Sequence, residues 1–370
     1  MHEGNIERLY GTATPGLPPS ECTDSGAYMT AEMTAMNTVS KRERFREAAP
    51  EGAFFLDTDP SALQIYLRHR DWLKEGESVL GAEVAGQGNM NFIVRVTTNA
   101  RSFILKQSRP WVEKYPDIAA PFDRALVEAN FYELVSSSPA AEFMPKFYWL
   151  DEDSRILCLE DLGAFGDFTH LYSRNRIQAA EVATLAGVLS MLHGTPGRLR
   201  NREMRLLNHF HIFTFPFQPA NNLDLDRFTP GLELLGDEVK RNQKLKAQIA
   251  ELGDAYLSGG DFLLHGDYFP GSWLLSRSGV KIIDPEFGFS GPREFDLGVM
   301  LAHLWLIGES DVLETITRCY AQWGDLDQKL VWGFAGVEVL RRILGVAQLP
   351  LSRDLNQKRS LIEDAILMVI

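Results

Sequence analysis

Two acidic residues in one short stretch carry the first legible chemistry. Residues 262–298 read FLLHGDYFPGSWLLSRSGVKIIDPEFGFSGPREFDLG, with Asp267 and Asp284 each following a short apolar run. A hairpin-sized segment separates them, and strands that turn back on each other bring both carboxylates to one edge. Phosphoryl transfer needs such a pair: one carboxylate orients or deprotonates the accepting hydroxyl, and another holds the Mg²⁺ that bridges the phosphates. Glu286 follows Asp284 by two residues, which in an extended segment puts both side chains on one side and suits a second metal ligand. An acidic surface loop is the plainer reading of HGD or DPE alone; both in this order, flanked by strand-like text, are far more specific. His265 is expected to shape its loop through backbone-directed hydrogen bonds rather than act as a base. Asp296, opening a predicted helix, is expected to cap it or brace the loop.

The upstream half supplies a phosphate clamp. Lys106 ends the strand-like FILK, and Glu128 lies on the helix predicted next; a strand Lys oriented by a helix Glu holds nucleotide phosphates in kinases. A lone strand-end Lys is ordinarily just solvated, so the pair carries the reading. The turn Gly86-Gln87-Gly88-Asn89 can lay backbone N–H groups over phosphates, although ordinary hairpins use the same residues. CLEDLG, residues 158–163, reads as a hinge offering backbone groups of Glu160 and Leu162 to adenine.

These residues need two kinds of scaffold. Alternating apolar text predicts strands at 79–84, 92–97, 102–107, 145–150 and 155–160, with a helix from Ser61 and another starting near Asp123. From there the text is mostly helical: 177–193, 235–257, 294–306, 310–323, 328–347 and 354–369, interrupted by strands at 262–264, 273–276 and 280–283. The fold class is α+β, an antiparallel lobe at 41–160 binding ATP, a hinge near 160–163 and a helical catalytic and acceptor-binding lobe at 164–370. Residues 1–40, rich in Gly, Pro, Ser, Thr and Met without period, read as a disordered tail, and Met29, Met33 and Met36 offer later starts.

Length and composition bound the function. The 370 residues suffice for two lobes sharing a cleft, and a net charge of −13 argues against a nucleic-acid partner. Cys22, Cys158 and Cys319 are far apart and form no CxxC pair, so free thiols in a reducing cytoplasm are expected. No apolar run reaches ~18 residues, so no membrane span is expected.

In this order the motifs resemble the aminoglycoside and choline kinase-like phosphotransferases, and specifically the methylthioribose kinase family. The carriers are the glycine turn with Asn-x-Asn in GQGNMNF, the long LKQSRPWVEKYPDIAAPFDRALVE between Lys106 and Glu128, the hinge LEDL, the metal motif DPEFGFSGPREFD and the twin arginine of GVEVLRRILGVAQLP. The resemblance spans roughly residues 60–370. It implies a protein-kinase-like two-lobed fold and transfer of a phosphate from ATP to a small-molecule acceptor, 5-methylthioribose. It further implies Asp267 as base, Asp284 and Glu286 on Mg²⁺, Arg341 and Arg342 on the acceptor, and a homodimer. Adjacent helical residues diverge, so one arginine is expected at the acceptor and the other on a nearby carboxylate. Two alternatives stay open: another sugar, amino-alcohol or aminoglycoside acceptor, and a nucleotide-binding pseudokinase. The chain departs from the family at Phe269 and Pro270, where polar residues are usual beside the acidic centre, and at Ser290, Arg293 and Glu294, expected near the acceptor. Ser272 stands where other branches place the Asn for a second magnesium.

Overall fold

A computed structural model describes residues 41–86, 90–174, 176–309 and 312–370. The tail at 1–40 lies outside them, as do Gln87, Gly88 and Asn89 of the glycine turn. The chain divides into two compact units, one reaching to Leu126 and adding Phe147–Asp161, the other made of Val127–Lys146 and Leu162–Ile370.

The first unit is built on a five-stranded antiparallel sheet. Its strands are β1 (Val79–Val84), β2 (Phe92–Thr98), β3 (Ser102–Gln107), β6 (Phe147–Asp151) and β7 (Ile156–Glu160), in the order β1-β2-β3-β7-β6. Helix α1 (Pro60–His69) starts where the Asp59 carboxylate accepts from the Ser61 N–H, with proline at its first position. It buries Leu63, Tyr66 and Leu67 against Val94, Val96, Phe103, Leu105, Ile156 and Cys158. Those strand residues share one parity. Side chains alternate along a strand, so Ile93, Ile104, Lys106, Leu157 and Leu159 occupy the other face.

The insertion between β3 and the next helix, with no element predicted in it, folds into a small hairpin, β4 (Trp111–Val112) and β5 (Tyr115–Ala119). Arg124, first residue of α2 (Arg124–Val135), ties it down. Its guanidinium donates to Asn91 Oδ1 at 2.9 Å and to the carbonyls of Arg109, Pro121 and Met90, each at 2.7 Å. The Asn of GQGNMNF and the Arg of APFDR are therefore one construction, which spacing alone did not show.

The second unit opens with the rest of α2 and continues through α3 (Leu171–Arg174), α4 (Ala179–His193), α5 (Arg202–His209) and a π-helical turn at Phe210–Thr214. The single helix expected at 235–257 is two, α6 (Leu232–Arg241) and α7 (Gln243–Ser258). Asn242 leaves helical geometry and its side chain accepts from the Leu245 N–H at 3.1 Å, capping the second helix. Four short strands follow: β8 (Phe262–Leu264), β9 (Trp273–Ser276), β10 (Gly279–Ile282) and β11 (Phe289–Gly291). The strands that precede Asp267 and Asp284 do not pair with each other, contrary to the hairpin expectation: β9 pairs with β10, and β8 with β11.

Helices α8 (Glu294–Ile307), α9 (Leu313–Cys319), α10 (Gln328–Leu344) and α11 (Leu355–Val369) complete the unit. Helix α8 is buried on nearly every side and α10 along most of its length. Two glycines let them approach. A Cβ on Gly298 would lie 2.7 Å from Phe334 Cβ and 2.9 Å from the Val331 carbonyl, and one on Gly336 would lie 2.5 Å from the Ala365 carbonyl of α11. Helix α10 is thereby clamped between two neighbours, and its last turn carries Arg341 and Arg342.

Candidate active site

The loop after β8 is held from three directions. The Asp296 carboxylate, in the first turn of α8, accepts from the backbone N–H of His265 at 2.7 Å and of Gly266 at 2.9 Å. His265 Nε2 meets the Ile283 carbonyl at 2.9 Å, which ties the Asp267 loop to the segment entering Asp284. Burial lowers the His265 pKa, and its backbone contacts agree with the expected shaping role. Gly266 has φ +84, and a Cβ there would fall 2.2 Å from the Phe287 carbonyl, so no other residue fits the turn. The Ser272 hydroxyl donates to the Asp267 carbonyl at 2.9 Å. The serine noted in the second-metal position thus works as a brace for the acidic loop.

Asp267 emerges from this frame with its side chain 22% exposed. Both arginines of α10 reach the same oxygen: Arg342 Nη2 lies 3.1 Å and Arg341 Nη2 3.5 Å from Asp267 Oδ1. The expectation that they part toward different targets is corrected here. Glu338, one turn earlier, sits between them, with Arg342 Nε donating to Oε1 at 2.7 Å and Arg341 Nε donating to Oε2. Residues three and four apart share a helix face, so one carboxylate can serve both. Burial raises the Asp267 pKa, while Arg342 and Arg341 hold it down. The two guanidiniums, outweighing burial, hold Glu338 well below the usual carboxylate range. Phe269, one of the departures, lies under Arg342, whose Cζ is 4.6 Å from the ring centroid. The other departures face scaffold. Leu199 N–H donates to Ser290 Oγ at 2.9 Å, Arg293 donates to the Asp325 carbonyl at 3.0 Å, and Glu294 accepts from the Asp327 N–H at 3.3 Å, at the start of α10.

Asp284 and Glu286 are placed differently from the expectation. Asp284 has φ +63 and ψ +50, and Pro285–Phe287 forms a 3₁₀ turn, so the two carboxylates do not alternate along an extended segment. A non-glycine residue in the left-handed region is uncommon and clusters at functional positions. Asn201, unmarked by any motif, donates to the carbonyls of Glu286 at 3.0 Å and Gly288 at 2.9 Å and secures this turn. The Tyr132 hydroxyl is pushed up by burial and then by the charges of Glu128 and Asp284.

In the first unit Lys106 pairs across the sheet with Ile93 and Leu157 and is only 2% exposed. Its two cross-strand neighbours are apolar, and Arg95 shares the same face of the sheet. Gly86 has φ +71, the geometry a glycine turn requires. Glu160 ends β7 opposite Phe103, and Asp161 next to it accepts from Arg95 Nε at 2.9 Å and Nη2 at 3.1 Å, fixing the end of that strand. Leu162 opens the second unit's long segment. Glu338 and Asn201 were given no role from the sequence; Arg124 stood in the segment carrying the resemblance, with its anchoring role unread. For Asn201 no signal is present. Glu338 had a signal, since an acid three and four residues before two arginines is a helical ion-pair spacing.

A family model described as phosphotransferase enzyme family (APH) matches residues 82–327. A methylthioribose kinase of Bacillus cereus (strain B4264) is 25% identical, covering 83% of this chain and 88% of its own length. A methylthioribose kinase of Exiguobacterium sibiricum is 27% identical, covering 76% and 83%. Among solved structures, spectinomycin phosphotransferase in complex with ADP and spectinomycin superposes with a TM-score of 0.53 at 14% identity, covering 85% of this chain and 98% of that one. That likeness carries the protein-kinase-like fold expected from the motifs. Among the described residues no helix is long and apolar enough to cross a membrane. The matched model spans both the Lys106 strand and the Asp267–Asp284 segment, and the chain belongs to the phosphotransferase enzyme family as a small-molecule kinase.

Proposed function

We propose that this kinase transfers the γ-phosphate of ATP to the anomeric hydroxyl of 5-methylthioribose. The observation that carries the reading is the arginine pair seated on Asp267. Forked, permanently charged donors beside a catalytic carboxylate suit sugar oxygens and a transferring phosphate. An arginine pair already matched by two carboxylates offers none of the acidic lining that a polycationic aminoglycoside needs. The names of the relatives point to the same acceptor.

In this reading Asp267 orients the acceptor hydroxyl and takes its proton, and its carboxylate is already aimed by the arginines. Lys106, positioned by Glu128, clamps the phosphates, and Gly86, Gly88 and Asn89 cover them. The backbone of Glu160 and Leu162 receives adenine. Asp284 and Glu286 offer the hard anionic oxygens that Mg²⁺ prefers and would hold it. When bound, the ion neutralises charge on the phosphates.

The test is ATP consumption against a panel of 5-methylthioribose, other pentoses, choline and aminoglycosides, with the product located by phosphorus NMR. Turnover confined to 5-methylthioribose, lost by about 10²–10⁴-fold in Asp267→Asn, is expected. Preference for another acceptor would replace the substrate and leave the kinase assignment standing. Failure to bind nucleotide at all would overturn the whole reading.

A further inference from the structure

Two adjacent arginines on a helix point about 100° apart and repel each other. Here they converge on one oxygen of Asp267, and the geometry accounts for that through a single buried carboxylate. Glu338, 1% exposed, takes the Nε–H of each arginine on a different oxygen, which leaves the two Nη2 groups directed onward to Asp267 Oδ1. Glu338 is itself held. His303 Nε2 lies 3.0 Å from Glu338 Oε1, and His303 Nδ1 lies 2.6 Å from the Tyr172 hydroxyl. An ionised carboxylate only accepts, so His303 donates through Nε2 and accepts from Tyr172 at Nδ1. Burial lowers the His303 pKa to about 4, so the ring is neutral near pH 7 and the Asp267, Glu338, Arg341, Arg342 cluster has no net charge. The donors run in one direction, from Tyr172 through His303 and Glu338, with the arginines turned outward.

We propose that Glu338 is the positioning residue of the acceptor site, a socket that aims Arg341 and Arg342 at Asp267 Oδ1 and leaves Oδ2 to face the acceptor hydroxyl, with His303 and Tyr172 fixing its orientation. The proposal rests on the reading of the arginine pair as acceptor contacts. It assigns a role to three residues that carried none in the sequence reading: Glu338, inside the twin-arginine segment, and Tyr172 and His303, outside every recognised motif. They come from three separate segments of the second unit: α3 supplies Tyr172, α8 supplies His303 and α10 supplies Glu338. No part of this socket touches the nucleotide in the proposed arrangement, so its loss should act on the acceptor alone.

The experiment compares Glu338→Gln, His303→Gln, His303→Leu, Tyr172→Phe and Arg342→Lys, using the acceptor that the panel identifies. Glu338→Gln is expected to lower kcat/KM for the acceptor by about 10²-fold through misplacement, while affinity for a non-hydrolysable ATP analogue stays within about twofold. Tyr172→Phe, which removes one hydroxyl, should raise acceptor KM by about two- to fivefold. His303→Gln keeps a donor and should retain most activity, whereas His303→Leu should resemble Glu338→Gln. Glu338→Gln with unchanged acceptor kinetics overturns the proposal, as does equal damage by Gln and Leu at position 303. If Glu338→Gln fails to fold, the paired His303 variants and Tyr172→Phe decide. Arg342→Lys separates the two ideas. Impairment there without impairment in Glu338→Gln removes the socket and keeps the arginine reading; no impairment in either removes the arginine reading itself.

Discussion

Asp267 carries opposing pressures that a pH profile can separate. Burial raises its pKa, and Arg342 and then Arg341 pull it back. As the proposed base, Asp267 must be ionised, so rate is expected to be lost as pH falls through that pKa. Arg342→Met removes the larger of the two lowering charges, so the pKa rises and the acid limb of kcat/KM should move to higher pH. A limb that stays in place would show that the arginine does not govern Asp267. The candidate residues themselves were legible beforehand. HGD, DPE, Lys106 and the twin arginine stand in plain text because short motifs carry their own backbone geometry. The convergence of the arginines was not legible, because angular divergence on an isolated helix says nothing about a shared counter-ion. Glu286 relative to Asp284 was misjudged for a similar reason: the alternation rule holds in a strand, and Pro285 opens a 3₁₀ turn instead.

At the scale of elements, the arginines depend on where α10 lies, and α10 depends on glycine. Gly298 on α8 faces Phe334, Val331 and Ala335 with room for hydrogen only. Gly298→Ala must push the helices apart or displace Phe334, costing about 1–3 kcal/mol. A fall in the urea midpoint is expected, together with a larger loss in acceptor turnover than in nucleotide affinity. An unchanged midpoint would mean that the contact relaxes freely. The strands were read well from sequence because their apolar alternation is strong; β1, β3, β8 and β9 begin and end where the pattern does. Helix boundaries were harder. The apolar stripe across 235–257 runs on through Asn242, and only the capping chemistry of that asparagine marks the break. In the hairpin, β4 has only two residues and β5, YPDIA, is exposed along nearly its whole length, so no apolar pattern marks either strand.

The molecule as a whole buries histidines that remain neutral. Burial lowers His303 to about 4, and burial with the nearby Arg341 charge lowers His211 to about 4. In the unfolded chain each titrates near its ordinary 6.5. Between those values the unfolded state binds more protons, so stability is present above pH 6.5 and is lost as pH falls toward 4. A loss on the order of 4 kcal/mol between pH 7 and pH 5, about half from each histidine, is expected from urea melts followed by tryptophan fluorescence. Glu338 stays ionised over that window because its pKa is held well below the ordinary value. His303→Gln should flatten part of the slope, and an unaltered slope would remove His303 from the account.

The left-handed backbone at Asp284 limits which sequences can occupy this position at all. Only residues with short, locally hydrogen-bonding side chains, or none, adopt such a φ without strain of about 1–2 kcal/mol. Asparagine satisfies the backbone and loses the charge; glutamate keeps the charge and strains the backbone. Conservative exchange therefore has no neutral step here. Asp284→Asn should melt close to the parent while losing turnover, and Asp284→Glu should lose thermal stability in spite of its carboxylate. Calorimetric melting of the two variants reads this directly, and a glutamate variant as stable as the asparagine one would remove the constraint. If it holds, drift at this position is confined to aspartate by backbone shape as well as by chemistry, and a lineage that lost the charge could regain it most cheaply from asparagine.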